Sequence, residues 1–200
     1  MLHRVPFMPS DQQLKNERHL CSVALYKFNK NAVDPTTSED ERTQQFSQIL
    51  APNGRSTPPS ESNADPSVGF MGERIDVQAP FNCQYGYNIH IGDDVEIGAN
   101  CRIMDAASVR IGARTVIGPD VSIYSVDGDH YNKPPAGMKR LWLAEEVIIE
   151  EDCWIGGGAI ILPGVRIEKG STVGAGTIVP KVSRASDLCG WMRERVMKEC

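Results

Sequence analysis

The sequence predicts a mainly β protein, a parallel β-helix preceded by a small N-terminal α-helical domain, and three observations carry that prediction. Aliphatic residues recur every six positions at Ile91, Ile97 and Ile103, at Ile111, Ile117 and Ile123, and at Ile149, Ile155, Ile161, Ile167, Val173 and Val179. Glycine follows the aliphatic at Gly92, Gly98, Gly112, Gly118, Gly156 and Gly174, and small or β-branched residues stand four places after it, as at Val95, Thr115, Val121, Ala159, Val165, Ser171 and Thr177. A period of six fits neither an α-helix nor a hairpin meander, but it fits a solenoid whose three flat faces each take one repeat. In such a coil the repeated aliphatic points inward and stacks on its counterparts about 4.8 Å above and below. Gly and Asn are expected at the corners, where tight turns call for positive φ.

Residues 1–50 read as the helical domain. In "LKNERHLCSVALYKF", Leu14, Leu20, Ala24, Leu25 and Phe28 fall near the helical period. Asn31 to Thr37, with Pro35, breaks that helix from a second, "SEDERTQQFSQIL", where Ser38 and Glu41 form a capping box and Phe46, Ile49 and Leu50 an apolar stripe. Residues 51–67 are rich in Pro, Ser and Asn and nearly devoid of large apolar groups, and a flexible linker is expected over 51–71. The β-helix is expected over 72–183. Two steps break its count: Ile103 to Ile111 takes eight residues and Ile123 to Ile149 twenty-six. The longer excursion, 124–146, must project from the coil, and it carries His130. The tail, 184–200, leaves the repeat, with a short helix expected over "WMRERVMKEC".

The 200 residues, 40% hydrophobic and 24% charged, suit one moderate domain with a small appendage. A net charge of −5 and a pI near 5.4 provide no basic stripe for nucleic acid or anionic membrane. No run approaches the roughly 20 apolar residues of a bilayer span, and "MLHRVPFMPSDQQ" lacks the apolar core of a signal peptide, so the expected location is cytoplasmic. The six cysteines show no C-x-x-C pair and read as buried free thiols, not as a metal site. A short prism leaves flat sides exposed, and burying them around a three-fold axis predicts a homotrimer.

The stretches "PFNCQYGYNIHIGDDVEIGANC", "IMDAASVRIGARTVIGPDVSIY" and "EEDCWIGGGAIILPGVRIEKGSTVGAGTIVPK", with the N-terminal "DQQLKNERHLCSVALYKFN", resemble the maltose/galactoside O-acetyltransferase group of the hexapeptide-repeat acyltransferases. The resemblance implies a left-handed β-helix, a hand opposite to the usual crossover. It implies trimers with three active sites between neighbouring subunits, acetyl-CoA along a groove beside the coils, no metal, and direct acetyl transfer to a hydroxyl of a sugar-like acceptor. It further implies His130 as general base and Gly157 as the main-chain oxyanion donor. Trp154 is placed against the pantetheine of CoA, with packing in the trimer interface as the alternative, and Ala175 and Lys181 along the path to its nucleotide end. Asn88, Asn100 and Asp105 are placed as acceptor contacts, with a hydrogen bond to a β-helix corner as the alternative for Asn88 and Asp105.

The chemistry agrees with these residue types. A sugar hydroxyl is a weak nucleophile at neutral pH and needs a base with a pKa near the working pH, which histidine supplies. The tetrahedral intermediate needs a positioned donor for its oxyanion. His90, between Ile89 and Ile91, points outward by strand alternation and is expected in a surface or interface role. Three departures from the family pattern stand out. Gly98 occupies a place where relatives commonly carry an acceptor-site Asn, which implies a changed sugar preference. His130 lies two residues later than the family histidine. Pro180 and the tail replace a further coil that contacts CoA. These departures also suit a second reading, a β-helix scaffold that trimerises and binds CoA without turnover. A zinc carbonic anhydrase on the same fold would need three histidine ligands, and the repeat region holds only His90 and His130.

Overall fold

The computed structural model describes residues 5–32, 34, 36–51, 69–128, 141–180 and 196–198. Helix α1 spans Gln12–Asn31 and helix α2 spans Glu39–Leu50. The Asp11 side chain caps α1 by accepting from the Gln13 and Leu14 amides, and the Ser38/Glu41 capping box at α2 is present as expected. The α2 stripe, Phe46, Ile49 and Leu50, is buried. On α1 the expected stripe holds at Leu25 and Phe28, which are buried, with Ala24 packed against the core; Leu20 is the exception at 59% exposed, and Cys21 is buried beside it. Leu20 stands one position before Cys21, and a thiol is apolar enough to take the core side.

Both helices close one end of the solenoid. Phe28, Phe46 and Phe81 form a fully buried chain of rings at 5.5 and 5.3 Å, each contributing about 1.5–3 kcal/mol of burial. The Asn29 amide takes the place of a missing strand for Phe81, donating to its carbonyl at 2.9 Å and accepting from its N–H at 2.8 Å. Arg18 donates to the Tyr85 hydroxyl, and the Tyr87 hydroxyl donates to Glu17, both at 2.7 Å.

Five coils follow, built as three parallel sheets. The first sheet stacks Phe70–Met71, Ile89–Ile91, Val109–Ile111, Val147–Ile149 and Arg166–Ile167. The second stacks Asp76–Val77, Glu96–Ile97, Val116–Ile117, Trp154–Ile155 and Ser171–Val173, and the third Asn82–Cys83, Arg102–Met104, Ser122–Tyr124, Ile160–Ile161 and Ile178–Val179. Register puts the predicted aliphatics in three inward columns, for example Ile91, Ile111, Ile149 and Ile167, with Met71 beneath them. The coil starts at Phe70, ahead of the expected boundary at 72. Its first turn escaped the six-residue count because its inward residues are Met71, Val77 and Cys83, and because Cys83 to Ile91 is a step of eight.

The corners use glycine in two ways: for positive φ, as expected, at Gly158, Gly164, Gly170 and Gly176, and for close packing of successive coils at the glycines that follow the inward aliphatic. A Cβ at Gly118 would lie 2.6 Å from the Gly157 nitrogen of the next coil, so these positions need space, not positive φ. The positive φ angles sit further round the turn, at Arg74, Asp94, Arg114 and Asp152 on one edge and at Asn100, Asp120, Gly158 and Gly176 on the next. The first of these edges carries a ladder of opposite charges, Arg74 with Asp94 and Arg114 with Asp152 and Glu151. Exposed pairs of this kind contribute about 0–1 kcal/mol each.

The projecting segment leaves the third sheet after Tyr124 as an antiparallel hairpin, Val126–Gly128 against Trp142–Ala144, joined on its outer side by an N-terminal strand, Val5–Phe7. At the far end, Val196–Lys198 pairs antiparallel with Ser171–Val173. At these three residues a strand stands where a helix was expected, because the open edge of the last coil supplies hydrogen-bond partners that outweigh local helix propensity; the rest of that stretch lies outside the described residues. Among the described residues no helix is long and apolar enough to cross a membrane.

Candidate active site

Alternation along the second sheet buries Ile155 and turns its neighbour Trp154 outward, leaving the indole 51% exposed between Val116 and Thr172 of the adjoining coils. The chain then turns through Gly156, Gly157 and Gly158. Gly156 N–H donates to the Val173 carbonyl at 2.8 Å and Gly158 N–H to the Pro119 carbonyl at 2.8 Å, while the Gly157 N–H takes no part in these rung bonds. One coil on, Ala175 repeats the pattern: Gly176 donates to the Gly157 carbonyl at 2.9 Å, and the Ala175 N–H is likewise outside the ladder. This corner therefore offers two stacked main-chain donors beside an exposed aromatic. A Cβ on Gly157 would stand 3.1 Å from the Pro119 carbonyl and crowd that approach. Asn100 lies on the same edge two coils below Gly158, exposed, with φ of 63°.

Asn88 and Asp105 sit at a different edge, between the third and first sheets. Asn88 donates to the Asp105 carbonyl at 2.7 Å. Asp105 is 0% exposed, and its carboxylate accepts from the main-chain N–H groups of Gln84, Tyr85 and Gly86 at 2.8, 2.9 and 2.7 Å. The carboxylate thereby holds the 84–86 turn of the coil below. Burial pushes its pKa up from 3.8 to about 6, against the main-chain hydrogen bonds that pull it down. Gly98 packs against the next coil, where a Cβ would lie 2.6 Å from the Pro119 nitrogen.

His130 and Lys181 lie outside the described residues. The stems on either side of His130 are described. Buried Ser125 roots the hairpin, its hydroxyl donating toward the Met104 and Ala107 carbonyls at 2.9 and 3.0 Å and accepting from the Ala107 N–H at 2.8 Å. Glu145 N–H donates to the Ser125 carbonyl at 2.8 Å. Ser125 had no signal in the six-residue pattern, since it stands just where that pattern breaks. His90 is half-buried on the first sheet beside Arg110, which pairs with Glu146 at 2.9 Å. Burial and then Arg110 lower its pKa below 6.5.

The structure thus gathers Trp154, Gly157, Ala175 and Asn100 on one edge and places Asn88, Asp105 and the hairpin on the next, with the whole third sheet between them.

Comparisons with known proteins identify this architecture. Residues 88–125 and 146–181 match the family described as hexapeptide repeat of succinyl-transferase, and residues 1–54 match the maltose acetyltransferase hexapeptide capping motif. Nodulation protein L of Rhizobium leguminosarum bv. viciae is 48% identical over 98 residues, 49% of this chain and 50% of that protein. The chain thus spans about half the length of that relative, as it does of nodulation protein L of Rhizobium meliloti, where the share is 52%. Galactoside O-acetyltransferase of Lactococcus lactis subsp. lactis is 30% identical over 177 residues, 88% of this chain and 74% of that protein. Among solved structures, a maltose O-acetyltransferase from Clostridium difficile 630 superposes with a TM-score of 0.69 at 28% identity, covering 90% of this chain and 84% of that one. A hexapeptide-repeat acetyltransferase of Vibrio cholerae, complexed with acetyl coenzyme A, gives 0.67 at 26% identity, covering 87% and 81%.

Proposed function

Because this chain belongs to the hexapeptide-repeat acyltransferases, in their maltose and galactoside O-acetyltransferase group, we propose that it moves acetyl from acetyl-CoA to a hydroxyl of a sugar or related polyol. The observation that carries this proposal is the corner at Trp154 to Gly158. It combines an exposed indole with two main-chain N–H groups, of Gly157 and Ala175, that the coil's own ladder leaves unspent.

In the proposed reaction His130 takes the proton of the acceptor hydroxyl as its oxygen attacks the thioester carbon. Charge collects on the carbonyl oxygen, where the Gly157 N–H donates to it. The carbon–sulfur bond then breaks, the imidazolium returns its proton to the CoA sulfur, and the acetyl ester leaves with the acceptor. Trp154 packs against the pantetheine arm, and Ala175 and Lys181 follow CoA toward its nucleotide. Asn88 and Asn100 face the acceptor. Asp105 acts at one remove, holding the turn that positions Asn88.

A homotrimer completes the site. Within one chain the hairpin edge and the Gly157 edge are a full sheet apart, so the loop of one copy serves the Gly157 edge of its neighbour. The test is a panel of sugar and polyol acceptors with acetyl-CoA, following release of free thiol and mass spectrometry of the product. Thiol release that depends on acceptor, with one acetyl added to it, supports the proposal; tight CoA binding without turnover on any hydroxyl would favour a scaffold.

A further inference from the structure

We propose that the N-terminal strand Val5–Phe7 is a positioning element for the reaction, a strap that fixes the stems of the hairpin bearing the base; this rests on the role proposed for His130. A two-stranded hairpin is marginally stable in water, and a third strand changes that. Val5–Phe7 supplies it, pairing Val5 with Ala144, Pro6 with Leu143 and Phe7 with Trp142, while Trp142–Ala144 pairs on its other side with Gly128, Asp127 and Val126. The returning stem is therefore held between two partners. Pro6 sits on the outer edge, where a residue without an N–H is tolerated and blocks further pairing.

The strap is anchored at both ends. On the side of the cap, Asp11 N–H donates to the Met8 carbonyl at 3.0 Å, and Arg18 bridges the Pro9 carbonyl at 2.6 Å to the Tyr85 hydroxyl at 2.7 Å. On the side of the coil, Ser125 ties the outgoing stem to Met104 and Ala107. The N-terminus thereby links helix α1, seated on the first coil, to a hairpin that emerges between the third and fourth. In the sequence His130 follows Gly128, the last paired residue of the outgoing stem, by two positions. Fixing the stem fixes the range of the base. A strand in front of the helical cap otherwise serves neither the capping of α1 nor the coil.

The test uses the full chain with Val5→Pro/Phe7→Pro, which removes both strand N–H donors, and, as a second variant without new prolines, deletion of residues 1–7. Both are expected to speed hydrogen exchange at 126–128 and 142–144 by about tenfold or more. Both are expected to lower kcat by about ten- to a hundredfold, the scale of an ångström-level misplacement, with KM for acetyl-CoA within about twofold of wild type. Val5→Ala/Phe7→Ala, which keeps the main-chain pairing, should retain kcat, and the proline pair should cost nothing further on a His130→Ala background. Faster exchange with unchanged kcat would overturn the positioning role, and unchanged exchange would overturn the strap itself. Should wild type release no thiol with any acceptor, the proposed reaction fails, yet exchange still decides the strap: acceleration supports it and its absence refutes it.

Discussion

Asp105 shows how a single buried group can resemble a site residue. Its two oxygens receive three main-chain N–H bonds, so Asp105→Asn would turn a donor toward the Gly86 N–H and leave it unpaired. The expected loss is about 1–3 kcal/mol, read as a fall in Tm of several degrees, with KM for acetyl-CoA unchanged. The pH dependence has a definite sign. The folded-state pKa of about 6 lies above the ordinary 3.8, so between those values the folded protein holds a proton that the unfolded chain has lost. Asp105 therefore stabilises the fold more as pH falls through 6 toward 4, and the Tm gap between wild type and Asp105→Asn should widen from pH 7 to pH 5. Trp154 is the opposite kind of residue, 51% exposed on the outer face of the coil. Trp154→Ala should raise KM for acetyl-CoA by about tenfold, with little change in Tm, in steady-state assays at saturating acceptor.

Among the elements, the coil was legible because its signal is repeated. Each inward aliphatic has a counterpart six residues on, and the register confirms the columns. The first turn was not legible, because Met71 and Cys83 fill inward places that the aliphatic count passes over. On α1 one position was misread for the same reason, with Cys21 inside and Leu20 outside. The strands Val5–Phe7 and Val196–Lys198 carry no local pattern at all; partners more than a hundred and about twenty-five residues away, respectively, define them. At the candidate site, the exposure of Trp154 followed from alternation, whereas the roles of Asp105 and Gly98 depend on the coil next door. Gly98→Asn tests that dependence. Its side chain would drive into the Gly118–Pro119 backbone, and a loss of about 1–3 kcal/mol by thermal or urea denaturation is expected in place of any gain in sugar acetylation.

For the whole molecule, the separation of the two edges across the third sheet is what makes assembly part of the proposed chemistry. If each site joins the loop of one copy to the Gly157 edge of another, His130→Ala and Gly157→Val, each inactive alone, should regain activity when unfolded and refolded together, because some mixed trimers then hold an intact pair. A site contained within one chain would give no recovery. The period gave no information on the hand of the coil or on the acceptor, since both depend on features that repeat neither in sequence nor in spacing. The most direct test is kcat for His130→Ala against wild type, measured by thiol release on the best acceptor in the panel. Loss of the general base predicts a fall of about 10²–10⁴-fold with KM for acetyl-CoA unchanged. A variant that keeps wild-type turnover would contradict the assignment of His130 as the base.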